Sequence, residues 1–175
     1  TVLELDRPDP AGVINAVKMG RVVMNAGFFP EEGKYNQTAC SRCFRQFSLE
    51  EATAFSWKCP GDGGRIKKGV EARARSLFSG SMTKRPPYLH IIPLSEIIQR
   101  TLGMKSPLTR RCRDLYHRCI DQFGDEITVL MDVPPEEIAS VDFRLSSAIR
   151  SFREGKIILH PGGGGRYGSF EIPEI

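Results

Sequence analysis

The chain has 175 residues, 40% of them apolar and 26% charged, with a net charge of +4, enough for one ordinary domain or two small ones. No run of about 18 apolar residues occurs, which argues against a membrane-spanning helix, and no charged-then-apolar leader marks secretion, so a cytoplasmic protein is expected. Five cysteines are an odd number for a disulfide framework, and a chain that starts at Thr1 rather than Met is expected to be processed, trimmed or part of something longer.

Taken in order, Asp9 as cap and Pro10 at the first helical position predict a helix to about Met19, stopped by Gly20. Residues 21–26, with Val22 and Val23, predict a short strand. Residues 27–48 show little periodicity and read as irregular structure organised by something other than a core. Ser48 with Glu51 three residues later begins a capping box and one or two helical turns. The run Cys59-Pro60-Gly61-Asp62-Gly63-Gly64 is a tight turn. Ile66, Val70, Ala74, Leu77 and Phe78 recur at helical spacing and predict a helix through Phe78, decorated by Lys67, Lys68, Arg73 and Arg75.

Pro86-Pro87 breaks the chain, and residues 88–92 predict a short buried strand. A helix follows Pro93 over residues 94–101, and another opened by Pro107 ends at Gly124. The apolar run at 126–131 predicts a strand. Pro135 opens a short helix, and Asp142 caps one to about Glu154 with Leu145, Ile149 and Phe152 on one face. Residues 156–159 predict a last strand before His160-Pro161 and four glycines.

The strongest chemical signal is Cys40-x-x-Cys43 followed by Cys59 and Asp62. Two pairs on tight turns about fifteen residues apart suit a tetrahedral zinc site, and Asp is a legitimate oxygen ligand where a fourth Cys is expected. A water or His90 would be another way to complete the shell. The same cysteines also fit a decayed ribbon in which they are small buried hydrophobes. Cys112 and Cys119, seven apart on one helix face, read as core packing.

Charge is unevenly spread. Residues 58–118 hold fourteen Lys/Arg against four Asp/Glu, whereas residues 119–175 hold five against ten. A basic middle third points to a polyanion, or else to a solvated face whose charges the acidic C-terminal third pairs. Lys84-Arg85-Pro86-Pro87-Tyr88 combines cations with an aromatic platform, and Arg110 and Arg111 open a second basic helix. Lys67, Lys68, Arg73, Arg85, Tyr88, Arg110 and Arg111 are the candidate nucleic-acid contacts. Gly162, Gly163, Gly164 and Gly165 can expose backbone N–H groups to an anion, with Arg166 to meet a phosphate and Tyr167 to stack on a base. No Gly-Lys-Ser/Thr closes the stretch, so it is not a P-loop, and a plain flexible turn is the other reading. Glu31-Glu32 is a polar cluster of interest.

Phe29-Pro30-Glu31-Glu32-Gly33-Lys34-Tyr35, the cysteine pair, Cys59-Pro60, residues 63–70, Arg85-Pro86-Pro87-Tyr88, residues 92–98, residues 123–127 and residues 161–168 occur in an order that resembles the endonuclease Q family. The resemblance implies the zinc-binding and DNA-reading portion of a protein that nicks DNA beside deaminated bases or abasic sites. It also implies a PHP-type metal-dependent catalytic domain upstream, present as another polypeptide, removed or lost. The PHP metal ligands have no counterpart here, so catalysis by this chain alone is not expected.

The expected architecture is mixed α/β, a zinc-ribbon-like segment plus a small C-terminal α/β domain. Residues 1–28 would be the tail of a preceding PHP-type domain, 29–88 the ribbon-like segment with its basic helix, and 89–175 the C-terminal domain. The expected cofactor is structural zinc on Cys40, Cys43, Cys59 and Asp62, and the expected partner is damaged duplex DNA. Tyr35, Tyr88 and Tyr167 are candidate stacking residues. The alternative is a stand-alone scaffold or interaction module for a protein or RNA.

Overall fold

The computed structural model describes residues 1–80 and 85–173; Lys84, part of the expected basic bend, lies outside them. Among the described residues the architecture is mixed α/β with three small sheets. Strand β1 (Val2–Leu3) pairs antiparallel with β2 (Val22–Phe28), and helix α1 (Pro10–Lys18) connects them. Asp9 caps α1 by accepting the Gly12 N–H at 2.7 Å, as the Asp-Pro signal predicts. β2 then pairs in parallel with β5 (Tyr88–Ile91), Asn25 opposite Tyr88 and Phe28 opposite Ile91.

Between β2 and β5 lies a ribbon-like unit. A single 3-10 turn (Pro30–Glu32) leads into β3 (Ala39–Cys40), helix α2 (Leu49–Ala54), β4 (Ile66–Lys67) and helix α3 (Val70–Leu77). β3 and β4 are antiparallel, with Cys40 opposite Ile66. The capping box at Ser48 and Glu51 forms in both directions, with bonds of 3.0 and 2.8 Å. The helix expected from Ile66 onward is shorter than its periodicity implies: Ile66 is a buried strand residue, while Val70, Leu77 and Phe78 are exposed. The helix N-cap at Gly69 fixes this boundary, because a Cβ there would lie 2.4 Å from Asn36 O.

Five helices follow: α4 (Leu94–Thr101), α5 (Arg110–Phe123), α6 (Glu126–Met131), α7 (Pro135–Val141) and α8 (Phe143–Arg153). They bury Ile97, Ile98, Leu115, Leu130, Leu145 and Ile149 in one core, which also takes in Cys112 and Cys119. Burial pushes the Cys119 thiol up to about 11, as befits a packed neutral group. Residues 126–131 are a helix and not the strand their apolar run predicts. Asp125 accepts the N–H groups of Ile127 and Thr128 at 2.9 and 3.0 Å, and the Arg153 guanidinium donates to the carbonyls of Leu130, Val129 and Val133 at the far end. Both ends of a single short helix are thus closed by side chains. A hairpin of β6 (Ile158–His160) and β7 (Ser169–Glu171) ends the fold and inserts Phe170 into the helical core. No helix among the described residues is long and apolar enough to cross a membrane.

The ribbon-like unit has its own small core of Cys40, Phe47, Ala52, Cys59 and Ile66, flanked by Trp57. Five buried residues are too few to hold such a unit by apolar burial alone.

Candidate metal centre and nucleic-acid interface

Two turns build the cysteine cluster with matching backbone geometry. In the first, Phe44 N–H donates to Cys40 O at 3.2 Å, and in the second Gly63 N–H donates to Cys59 O at 2.9 Å. The residue after the second ligand position is left-handed in both, Phe44 at φ 61° and Gly63 at φ 66°. Asp62 therefore stands where Cys43 stands in the other turn. The ligand atoms of Cys40, Cys43, Cys59 and Asp62 all lie within 4.8 Å of one another. Cys43 Sγ and Cys59 Sγ are 3.7 Å apart, and Cys40 Sγ is 3.3 Å from Asp62 Oδ1. Two thiolates on one tetrahedral zinc, each at about 2.3 Å, are separated by about 3.8 Å, so the donor set fits an ion of that kind.

The surroundings fit as well. Arg42 N–H donates to Cys40 Sγ at 3.3 Å, and Gly64 N–H to Asp62 Oδ1 at 2.8 Å. That Gly64 bond is the largest influence holding the Asp62 carboxyl below its ordinary range, with the neighbouring cysteines adding to it. The backbone N–H of Arg45 pulls the Cys43 thiol down most strongly, but desolvation and the adjacent sulfurs outweigh it, and the thiol is pushed up to about 11. The Cys43 thiol, crowded by two sulfurs and a carboxylate, thus resists ionising, and a bound cation removes that resistance. His90, the alternative fourth ligand, is not part of the cluster. It stacks on Phe29 at 5.2 Å and meets the Tyr88 ring at 4.8 Å in a tilted arrangement.

The glycine stretch is a packed strap and not a free turn. Gly162, Gly163 and Gly164 are buried against the ribbon-like unit. A Cβ on Gly164 would lie 2.1 Å from Cys40 O, and one on Gly162 would lie 2.6 Å from Gly33 O. The N–H groups of Gly162, Gly163, Gly165 and Gly168 already donate to the carbonyls of Glu31, Arg166, Lys34 and Glu32. Those four amides are committed to backbone partners. The glycines serve close approach between two chain segments.

That approach assembles a cationic aromatic face. Lys34 Nζ lies 5.4 Å from the Tyr35 ring centre and 5.6 Å from that of Tyr167, and Lys67 Nζ lies 5.1 Å from Tyr35. Tyr167 is 68% exposed and Tyr35 40%, so both rings remain available to a ligand. Next to them a polar cavity of about 410 Å³ lies between the first metal-site turn and the strap, with Arg45, Gln46, His160 and Arg166 in its wall. Of the sequence-derived candidates, the structure thus groups Lys67, Arg166 and Tyr167 with the four strap glycines.

The others are placed elsewhere. Lys68 is exposed between β4 and α3, Arg73 is exposed on α3, Arg85 is exposed before β5, and Tyr88 pairs with His90. Arg110 meets Asp114 on its own helix at 3.7 Å, and Arg111 is exposed beside it. Lys34, Arg45 and Gln46 were not among the candidates. Lys34 lies within the Phe29–Tyr35 motif, but its position over two tyrosines depends on a contact between distant segments.

A mixed α/β chain with a Cys3Asp centre, a glycine strap and a cationic aromatic face resembles several proteins of known sequence or structure. The family description "MJ0043 C-terminal domain" matches residues 93–156, the stretch from Pro93 through α4 to α8. The chain is homologous to the C-terminal portion of endonuclease Q. It is 42% identical to the lesion-specific endonuclease of Pyrococcus furiosus, with a TM-score of 0.87 over 98% of this chain and 44% of that one. It matches an endonuclease Q complex with a 27-mer duplex bearing an abasic lesion at the active site at 42% identity and a TM-score of 0.91, over 98% of this chain and 45% of that one. The protein MJ0043 of Methanocaldococcus jannaschii is 42% identical over 90% of this chain, and YqxK of Bacillus subtilis is 32% identical over 86%. The chain spans 20% and 36% of those two relatives, and less than half of either endonuclease Q chain.

Proposed function

We propose that this chain is the DNA-holding portion of an endonuclease Q-type repair protein, carrying a structural zinc and lacking the phosphodiester-cleaving site. The observation that carries the reading is the 42% identity and 0.91 TM-score to an endonuclease Q solved on lesion-bearing duplex DNA. Lys34, Lys67, Arg45 and Arg166 neutralise phosphates, which supplies affinity without sequence preference, and Tyr35 and Tyr167 offer stacking surfaces. Lys68, Arg73, Arg85, Tyr88, Arg110 and Arg111 extend the contact to the rest of the basic middle third. Deaminated bases or abasic sites are the lesions it serves.

Zinc on Cys40, Cys43, Cys59 and Asp62 holds the ribbon-like unit together. Four protein ligands leave no open position for a reacting water. The metal supports the fold, and cleavage belongs to a PHP-type domain outside residues 1–175.

Replacing Lys34 and Lys67 together by Glu tests the reading. Duplex affinity, measured by fluorescence anisotropy, falls by about tenfold or more, and the slope of affinity against salt flattens by about 2. An unchanged affinity and slope would overturn it.

A further inference from the structure

The three thiols of the cysteine cluster are not equivalent. Cys40 and Cys59 are buried, and Cys43 is exposed. Cys43 also lines the polar cavity of about 410 Å³ that carries Arg45 and Arg166 in its wall. A small polar oxidant that enters this cavity meets Cys43 before the other two sulfurs. Cys112 and Cys119 are the contrasting case: both are buried in the helical core, and neither lines the cavity.

The geometry also selects a partner for Cys43. Its Sγ lies 3.7 Å from Cys59 Sγ, and a disulfide brings two sulfurs to about 2.05 Å. Cys43 sits on a turn at the surface, so rotation of its side chain supplies much of the difference. Cys40 Sγ is engaged otherwise: it accepts the Arg42 N–H at 3.3 Å and lies 3.3 Å from Asp62 Oδ1. Asp62 has no sulfur to oxidise, so one disulfide leaves the cluster with a single thiol and a carboxylate. Those two donors are half of a tetrahedral set.

We propose that Cys43 is a site of reversible oxidation by hydroperoxides, and that its disulfide with Cys59 releases the metal and loosens the DNA-holding face. The proposal rests on the structural zinc and the DNA-holding role above, and adds redox control to them. The Cys43 sulfur attacks one oxygen of hydrogen peroxide, the O–O bond breaks, and hydroxide leaves with Cys43 as a sulfenic acid. The Cys59 sulfur attacks that sulfur, the S–S bond forms, and a second hydroxide leaves. Two thiolates and one peroxide thus give one disulfide and two hydroxides. Arg45 and Arg166 place positive charge in the cavity where the first hydroxide departs. The consequence reaches the strap. Without the metal, only the small core of Cys40, Phe47, Ala52, Cys59 and Ile66 holds the ribbon-like unit. Gly164 packs directly on Cys40 O, and Arg166 and Tyr167 follow it in the chain.

Peptide mapping of the purified chain after treatment with hydrogen peroxide tests the pair. The expected product is a Cys43–Cys59 disulfide, with Cys40, Cys112 and Cys119 still open to a thiol reagent once the chain is unfolded. Zinc appears in a colorimetric indicator in step with the link, and dithiothreitol with added zinc reverses both. Cys43→Ser releases zinc to peroxide at least about tenfold more slowly; if that variant loses its metal during purification, the wild-type map decides. A Cys40–Cys43 link, earlier oxidation of Cys112 or Cys119, or a link formed without metal release would overturn the proposal. Duplex affinity, followed by fluorescence anisotropy on the same samples, separates it from the readings it rests on. The affinity falls at least about fivefold in the cross-linked chain and returns on reduction. Salt-sensitive binding that the link leaves unchanged keeps the DNA-holding role and removes its redox control. If the chain binds no duplex before oxidation, the DNA-holding role falls, and the map with zinc release still decides the oxidation site. A chain that carries no zinc before peroxide overturns the structural zinc and, with it, the release step.

Discussion

Asp62 occupies the corner of the Cys3Asp cluster where a fourth thiolate is expected, and the backbone explains why it fits there. Cys40-x-x-Cys43 and Cys59 are legible in the sequence because their spacing alone implies two turns. The equivalence of Asp62 to Cys43 needs the left-handed residues behind them, Phe44 and Gly63. Gly63 announces such a turn in the sequence, and Phe44 does not, since a bulky residue rarely adopts that conformation unless the surroundings demand it. Purified protein is expected to carry about one zinc per chain. Asp62→Ala loses it to a chelator at least about tenfold faster, and Asp62→Cys retains it longer, with metal release followed by a colorimetric indicator. Equal retention by all three proteins would show that Asp62 is not a ligand. Lys34 illustrates the opposite limit. Nothing local gives a lysine between glycine and tyrosine a role, because the second ring it covers, that of Tyr167, comes from the far end of the chain.

At the scale of elements, signals that are local by nature were readable. The Asp9-Pro10 start, the Ser48 capping box, α4 after Pro93 and the Asp142 cap all form as their residues dictate. Two elements were misread for a common reason, which is tertiary context overriding a short pattern. The apolar run at α6 is helical because Asp125 and Arg153 close its two ends while Val129 and Leu130 face the core. The stripe from Ile66 to Phe78 is divided by Gly69, whose N–H donates to Thr38 Oγ1 at 2.9 Å. The strap is the element whose nature changed most. Its glycines permit contact with the ribbon-like unit, and substitution should therefore be felt as destabilisation. Gly164 has φ +68° as well as the short approach to Cys40 O, so Gly164→Ala is expected to cost about 3 kcal/mol or more in chemical unfolding and to loosen the metal centre beneath it. A change below about 0.5 kcal/mol would show that the strap moves aside without consequence.

The whole molecule joins a large helical core to a small cysteine-centred one through two connections, the parallel pairing of β2 with β5 and the glycine strap. Neither connection is visible in local sequence, since each brings together segments far apart in the chain. The basic middle third is readable as a composition, but the structure divides it. Lys67 joins the strap face, whereas Arg110 and Arg111 lie on α5 of the helical core. On the proposed function, a DNA backbone held across both regions would use cations from each, and its affinity would depend on counterion release. The most direct test is fluorescence anisotropy of the wild-type chain with a duplex containing one abasic site and with its undamaged match, from about 50 to 300 mM salt. The expected result is binding to both, tighter for the lesion, with a log–log slope against salt steeper than about −3. No binding to either duplex at the lowest salt, or binding indifferent to salt, would contradict the assignment of this chain as a DNA-holding unit.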